Sequence, residues 1–259
     1  MTHVILTDID GDIATITLNR PQKLNALTRP MWRGLGDALR QLDANAQVRC
    51  IIVRGAGGKA FSPGNDISEF ETQRSTPAQA KDYGDDLYHG LSGLTECNTP
   101  IIALIEGICV GGGLEVAALC DLRICGKSSR FGVPIKRLGL VMAYPEISGL
   151  LNLVGEAVTC EILLEGRIFS ADEALAKGLV TRVVDDANVK REALDTARRI
   201  CDGAPLVAQW HKKFIRRLRD KTPLSQTELD EAYECYDTED FDIGYNSFLT
   251  KTKPEFRGR

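Results

Sequence analysis

Short strand-like runs alternate with amphipathic helical stretches along most of this chain, and that alternation constrains its fold more than any other feature. Val4-Ile5-Leu6 and Ile13 to Leu18 flank Asp10-Gly11, a dipeptide suited to a tight turn, so an antiparallel hairpin is expected at the start. Thr28 and Pro30 mark a helix start, and Leu35, Ala38, Leu39 and Leu42 share one helical face. Cys50 to Val53 reads as a buried strand, whereas Pro63 and Gly64 interrupt both periodicities and make residues 61–67 a loop. A second helix over 77–97 carries Tyr83, Leu87, Leu91 and Leu94, and Pro100 separates it from a strand at 101–105. A short apolar helix at 114–119, strands at 122–125 and 131–133, a helix from Ser170 to Gly178 and a strand at 180–184 follow. Beyond about residue 186 the pattern is helical. The expectation is an α/β core with parallel strand pairs over residues 1–185, and a helical layer or oligomer contact over 186–259.

Composition removes several function classes. Hydrophobic residues make up 43% and charged residues 26%, as in a globular protein whose length supports a core without disulfides. The eight cysteines, at 50, 97, 109, 120, 125, 160, 201 and 235, form no C-x-x-C pair and have no companion histidines at zinc-ligand spacing. They are expected to be reduced packing residues of a cytoplasmic protein, with no metal bound. The N-terminal residues do not read as a signal peptide, and no long uncharged apolar segment suggests a membrane span. A net charge of -4 argues against nucleic acid as a partner, and the basic run over 211–221 reads as the solvated face of a helix. Gly55-x-Gly57-x-x-Ala60 is followed by Pro63 and Gly64 instead of the helix that a dinucleotide fingerprint needs. No G-x-S-x-G elbow occurs, and His3, His89 and His211 have no nucleophile near them in sequence.

What remains is Gly111-Gly112-Gly113, placed between a buried strand and an apolar helix. Three glycines let the backbone approach a ligand, and the first helical N–H groups have no partner within the helix. Such donors at the positive end of a helix suit a carbonyl oxygen that becomes an oxyanion. Glu115 lies in the first turn of the same helix, where a partly buried carboxylate could exchange a proton with the carbon beside a thioester carbonyl. A plain tight turn with a glutamate complementing the helix dipole satisfies the same residues.

The segments Leu18-Asn-Arg-Pro-Gln-Lys-Leu-Asn-Ala-Leu27, Ala60-Phe-Ser-Pro-Gly-Asn-Asp-Ile67, Gly107-x-x-x-Gly-Gly-Gly-x-Glu115 with Cys120-Asp121, Phe131-Gly-Val-Pro134, and Glu239-Asp-Phe-x-x-Gly244 through Lys253-Pro-x-Phe256 resemble the crotonase superfamily in order and spacing. The resemblance covers nearly the whole chain. It implies a crotonase-like spiral of ββα units, with a helical C-terminal region that packs homotrimers, commonly paired into hexamers. It implies an acyl-CoA substrate, with coenzyme A as part of that substrate and no separate cofactor. It places an oxyanion hole at the backbone N–H groups of Asn65 and Gly112. The adenine and pantetheine are expected along Asn65, Asp66, Ile67 and Ser68, with Gly111 and Ile135 also at the substrate. Glu115 matches the first of two catalytic glutamates of the hydratases, where it would hold the water that adds to the double bond.

Hydratases of this kind carry their second glutamate right after Phe-Gly-x-Pro, and here that position is Ile135. Isoleucine transfers no proton. The glycine-rich segment further on is replaced by Val141-Met-Ala-Tyr144-Pro145-Glu146-Ile-Ser148. Tyr144 resembles the tyrosine that partners the single glutamate in decarboxylases of malonyl-type thioesters, and Glu146 is a second candidate acid. The expected activity is hydration, dehydration or double-bond isomerisation of an enoyl-CoA. Alternatives are a methylmalonyl-CoA-like decarboxylase or hydrolase working through the same enolate, and a non-catalytic CoA-binding or RNA-associated relative.

Overall fold

A computed structural model describes residues 3–259. The chain opens with strands β1 (Ile5–Asp10) and β2 (Ile13–Leu18), paired antiparallel with Asp10 opposite Ile13, so Gly11-Asp12 is the turn and Asp10 stays in the strand. Helix α1 (Arg29–Asp43) then buries Met31, Trp32, Leu35, Ala38, Leu39 and Leu42.

A repeating unit follows in which one strand joins a large sheet, the next joins a small sheet, and a helix returns the chain. The first unit is β3 (Cys50–Gly55), β4 (Ala60–Ser62), the short α2 (Phe70–Gln73) and α3 (Pro77–Glu96). The second is β5 (Ile101–Ile105), β6 (Ile108–Val110) and α4 (Gly112–Leu119). The third is β7 (Leu122–Gly126), β8 (Arg130–Gly132) and α5 (Tyr144–Glu165). Strand β9 (Phe169–Ser170), α6 (Ala171–Ala176) and β10 (Arg182–Val184) complete the core, followed by α7 (Val189–Cys201), α8 (Pro205–Arg217), α9 (Gln226–Asp230) and α10 (Glu239–Thr250). The large sheet runs β1-β2-β3-β5-β7-β10, parallel from β2 onward, and the small one runs β4-β6-β8-β9. This is the expected spiral of ββα units.

The two sheets explain what the periodicity conceals. Phe61 and Ser62, expected to be loop, belong to strand Ala60–Ser62 of the small sheet, which also holds Ile108–Val110. Each is only three residues long, too short to show an alternation. Strand β5 is buried throughout, because the large sheet is covered on both faces, as parallel sheets are. Helices α1, α3 and α4 contribute to the core on one side, and α7 buries Val189, Ala193, Ala197 and Cys201 against Cys50, Ile52, Ile102 and Ile124 on the other.

Helix α5 is the element least visible in the sequence. By length and composition alone it is long and apolar enough to cross a membrane. Gly155, at φ 75° and ψ 175°, breaks it into two stretches, and its first part packs on α4. Gly149 lies against Leu119 of that helix. The packing brings the N-terminus of α5 beside the N-terminal half of α4.

Candidate active site

The glycine run works as a hinge between β6 and α4. Gly111 adopts φ 54° and ψ −128°, a conformation that costs an L side chain dearly. Its own N–H donates to the carbonyl of Gly132 at 2.9 Å, while its carbonyl accepts from the N–H groups of Leu114 and Glu115. The N–H groups of Gly112 and Gly113 are thereby the first two of the helix and donate to no acceptor among the described residues.

The loop after β4 supplies the other donor. Leu27 donates to the Gly64 carbonyl and accepts from the Asp66 N–H, both at 2.8 Å, forming an isolated parallel bridge opposite Asn65. In such a bridge the intervening residue turns its own N–H to the far side, and the Asn65 N–H donates to no acceptor among the described residues. The Asn65 side chain is held separately, its Oδ1 accepting from the indole Nε1 of buried Trp32 at 2.7 Å. The two tips touch: a methyl group built on Gly64, where φ is 100°, would lie 2.8 Å from the Gly112 nitrogen. Two free amides therefore converge on one wall of a cavity of about 270 Å³.

Glu115 faces the same cavity one helical turn in. It is 4% exposed, and its Oε2 is buried without a hydrogen-bond partner among the described residues. A structural carboxylate is rarely left this way, because an unpaired buried charge is expensive. Burial first, and the neighbouring Glu146 carboxylate second, raise its pKa from 4.5 to about 8 against the opposing charge of Arg74.

Glu146 reaches the cavity from the first turn of α5, where its Oε2 accepts from the Ala143 N–H in half of a capping box, since Ala143 has no side-chain acceptor. Burial raises its pKa too, against the effects of that N–H and of Arg74. Two carboxyls in one low-dielectric space with displaced pKa values are the arrangement that general acid–base chemistry requires.

The expected site residues divide cleanly. Asn65, Ile67, Gly111, Gly112, Glu115, Ile135 and Glu146 line the cavity together. Asp66 and Ser68 do not. Asp66 caps the 3-10 turn Ile67–Glu69, and its side chain folds back onto Ser68 instead of entering the cavity. Asp66 accepts from the Ser68 N–H and hydroxyl at 3.1 and 2.7 Å and pairs with Arg20 at 2.9 Å, which holds its carboxyl below the usual range despite burial. Tyr144 does not line the cavity either. It is 92% exposed, because it lies two residues before Glu146 and projects from nearly the opposite side of the helix. Tyr144→Phe is expected to change kcat/KM by less than about twofold in steady-state assays, as for a surface substitution.

Sequence reasoning missed Phe70 and Arg74, which line the cavity from α2 and its C-terminal edge. Their i,i+4 spacing was the available signal, but a four-residue helix shows no periodicity.

Comparisons with known proteins follow the same lines. The sequence model of the family described as Enoyl-CoA hydratase/isomerase matches residues 8–259. A short-chain-enoyl-CoA hydratase of Clostridium acetobutylicum is 31% identical over 263 residues, covering 100% of this chain and 99% of that one. Among solved structures, an enoyl-CoA hydratase/carnithine racemase from Magnetospirillum magneticum is 50% identical with a TM-score of 0.98, covering 100% of this chain and 97% of that one. A putative enoyl-CoA hydratase/isomerase family protein from Hyphomonas neptunium is 36% identical with a TM-score of 0.95, covering 100% and 99%.

Proposed function

Because this chain belongs to the enoyl-CoA hydratase/isomerase family, we propose that it moves protons on an enoyl-CoA through a thioester enolate, with Glu115 and Glu146 as the two proton-carrying groups. The observation that carries this reading is the buried, unpartnered Oε2 of Glu115 beside two amides that have no protein acceptor. In hydration, one carboxylate takes the proton of water as its oxygen bonds to Cβ, and the other carboxyl gives a proton to Cα. In isomerisation, a carboxylate removes a proton from Cα and a proton is returned at Cγ. Both routes place negative charge on the thioester oxygen, where the Asn65 and Gly112 N–H groups would hold it. The adenine and pantetheine would run outward along the 65–68 loop, and Ile135 would form part of the acyl wall.

Glu146 takes over the task that Ile135 cannot perform. Its approach from a different element supports isomerisation as well as hydration, since the two carboxyls sit on separate helices around the acyl group. The exposure of Tyr144 weighs against the tyrosine-assisted decarboxylase, and the free amides weigh against a scaffold without turnover. The same proposal includes a homotrimer, singly or paired as a hexamer, built through the 186–259 region. Exposed Tyr233, Tyr236, Tyr245, Phe248 and Leu249 support it. The eight free thiols support a cytoplasmic setting.

The test is turnover of crotonyl-CoA and of a 3-enoyl-CoA, followed by loss or shift of the conjugated thioester absorbance. Glu146→Gln is expected to lower the faster of the two by about a hundredfold. Wild-type protein that turns over neither substrate, or a Glu146→Gln variant at the wild-type rate, would refute the assignment.

A further inference from the structure

Two arginines, Arg74 and Arg137, line the cavity, and Arg74 is the one held on an aromatic platform; beyond lowering the two carboxyl pKa values it has no task in the proton transfer. Its guanidinium lies over the Phe70 ring at 4.6 Å and over the Tyr83 ring at 4.8 Å. The platform is fixed: Tyr83 is fully buried, and its hydroxyl donates at 3.0 Å to Glu69 Oε2, which also accepts from the Arg29 N–H at 3.0 Å. Stacking uses the flat faces of a guanidinium and leaves its in-plane N–H groups free. Those donors form no ion pair and no hydrogen bond with any described residue, although Glu115 and Glu146 line the same cavity. A guanidinium that lies over two rings and lines a cavity with its fork unpaired suits a planar acceptor that arrives with a ligand.

We propose that Arg74 receives a carboxylate at the far end of the acyl group, so that the preferred substrates are short acyl-CoA thioesters carrying a second acid group. This rests on the reading that the cavity takes the acyl chain. The cavity volume of about 270 Å³ suits a short group. The apolar walls formed by Ile67, Phe70, Ile135, Leu138 and Val141 then bind the methylenes, and Arg74 discriminates at the terminus. An unbranched monoacid of equal length reaches the same guanidinium with a methyl group and leaves the fork desolvated and unpaired, which costs it affinity.

The experiment compares equilibrium binding of two saturated thioesters of equal chain length, glutaryl-CoA and pentanoyl-CoA, by calorimetry. Neither requires turnover. Wild type is expected to favour glutaryl-CoA by about tenfold or more, the range of a charge-assisted hydrogen-bonded pair. In Arg74→Met the ratio is expected to fall to about one, and Arg74→Lys to retain part of it, because lysine keeps the charge without the fork. Using the ratio within each protein cancels any general loss of folded material. A wild-type ratio at or below one, or an undiminished ratio in Arg74→Met, overturns the assignment of Arg74 while leaving the proton-transfer reading intact. Failure to bind either thioester overturns the CoA reading of the cavity and this inference with it.

Discussion

Glu115→Gln is expected to lower kcat by a factor on the order of a thousand, with KM changed far less, in steady-state assays on the faster of the two enoyl-CoA substrates. The amide preserves shape and cannot carry the proton. The same variant should be more stable than wild type. The carboxyl titrates at 4.5 when unperturbed and is pushed to about 8 in the fold, so between those values the folded protein holds a proton that the unfolded chain releases. Stability therefore falls as pH rises through that window, and glutamine removes the loss. Thermal melts should show the variant above wild type near pH 8, with the gap closing below about 4.5. Burial does most to set this window, with Glu146 raising the Glu115 value further and Arg74 lowering it. A kcat within threefold of wild type would remove Glu115 from the chemistry, and a lower melting point near pH 8 would show that its carboxyl is paired after all.

Gly64→Ala is expected to lower kcat by about 10²–10³, the cost of losing one oxyanion donor. The added methyl would stand 2.8 Å from the Gly112 nitrogen, in the space from which that N–H must reach the thioester oxygen. It would also strain a backbone held at φ 100°. Stability falls as well, so the decisive measurement is kcat on protein shown by circular dichroism to be folded. Near-wild-type kcat in such a sample would mean that the two amides do not act on one oxygen.

Much of this was legible in the residues because it depends on local chemistry. The turn at Gly11, the start of α1, the face of α3 with Tyr83, Leu87, Leu91 and Leu94, and strand β5 all follow from periodicity and punctuation. The roles of Asn65, Gly112 and Glu115 came from the resemblance to the crotonase superfamily, since the glycine run and first-turn glutamate alone fit a plain tight turn equally well. What was hidden depends on contacts between distant segments. Strands β4 and β6 are too short to carry a pattern, and their identity comes from pairing with each other and with β8. Glu146 was separable from Tyr144 only once α5 existed, since helical rotation sends one inward and the other out. Arg74 needed the ring of Tyr83, nine residues away on another helix, to hold its plane.

The hydrogen bond from Trp32 to Asn65 ties the oxygen-binding loop to an indole that is wholly enclosed. A loop anchored in this way is expected to lose its place only when the core around the indole opens. In a denaturant series on a Trp210→Phe background, loss of turnover and the change in Trp32 emission should trace one curve, which makes resistance to unfolding and retention of rate a single property.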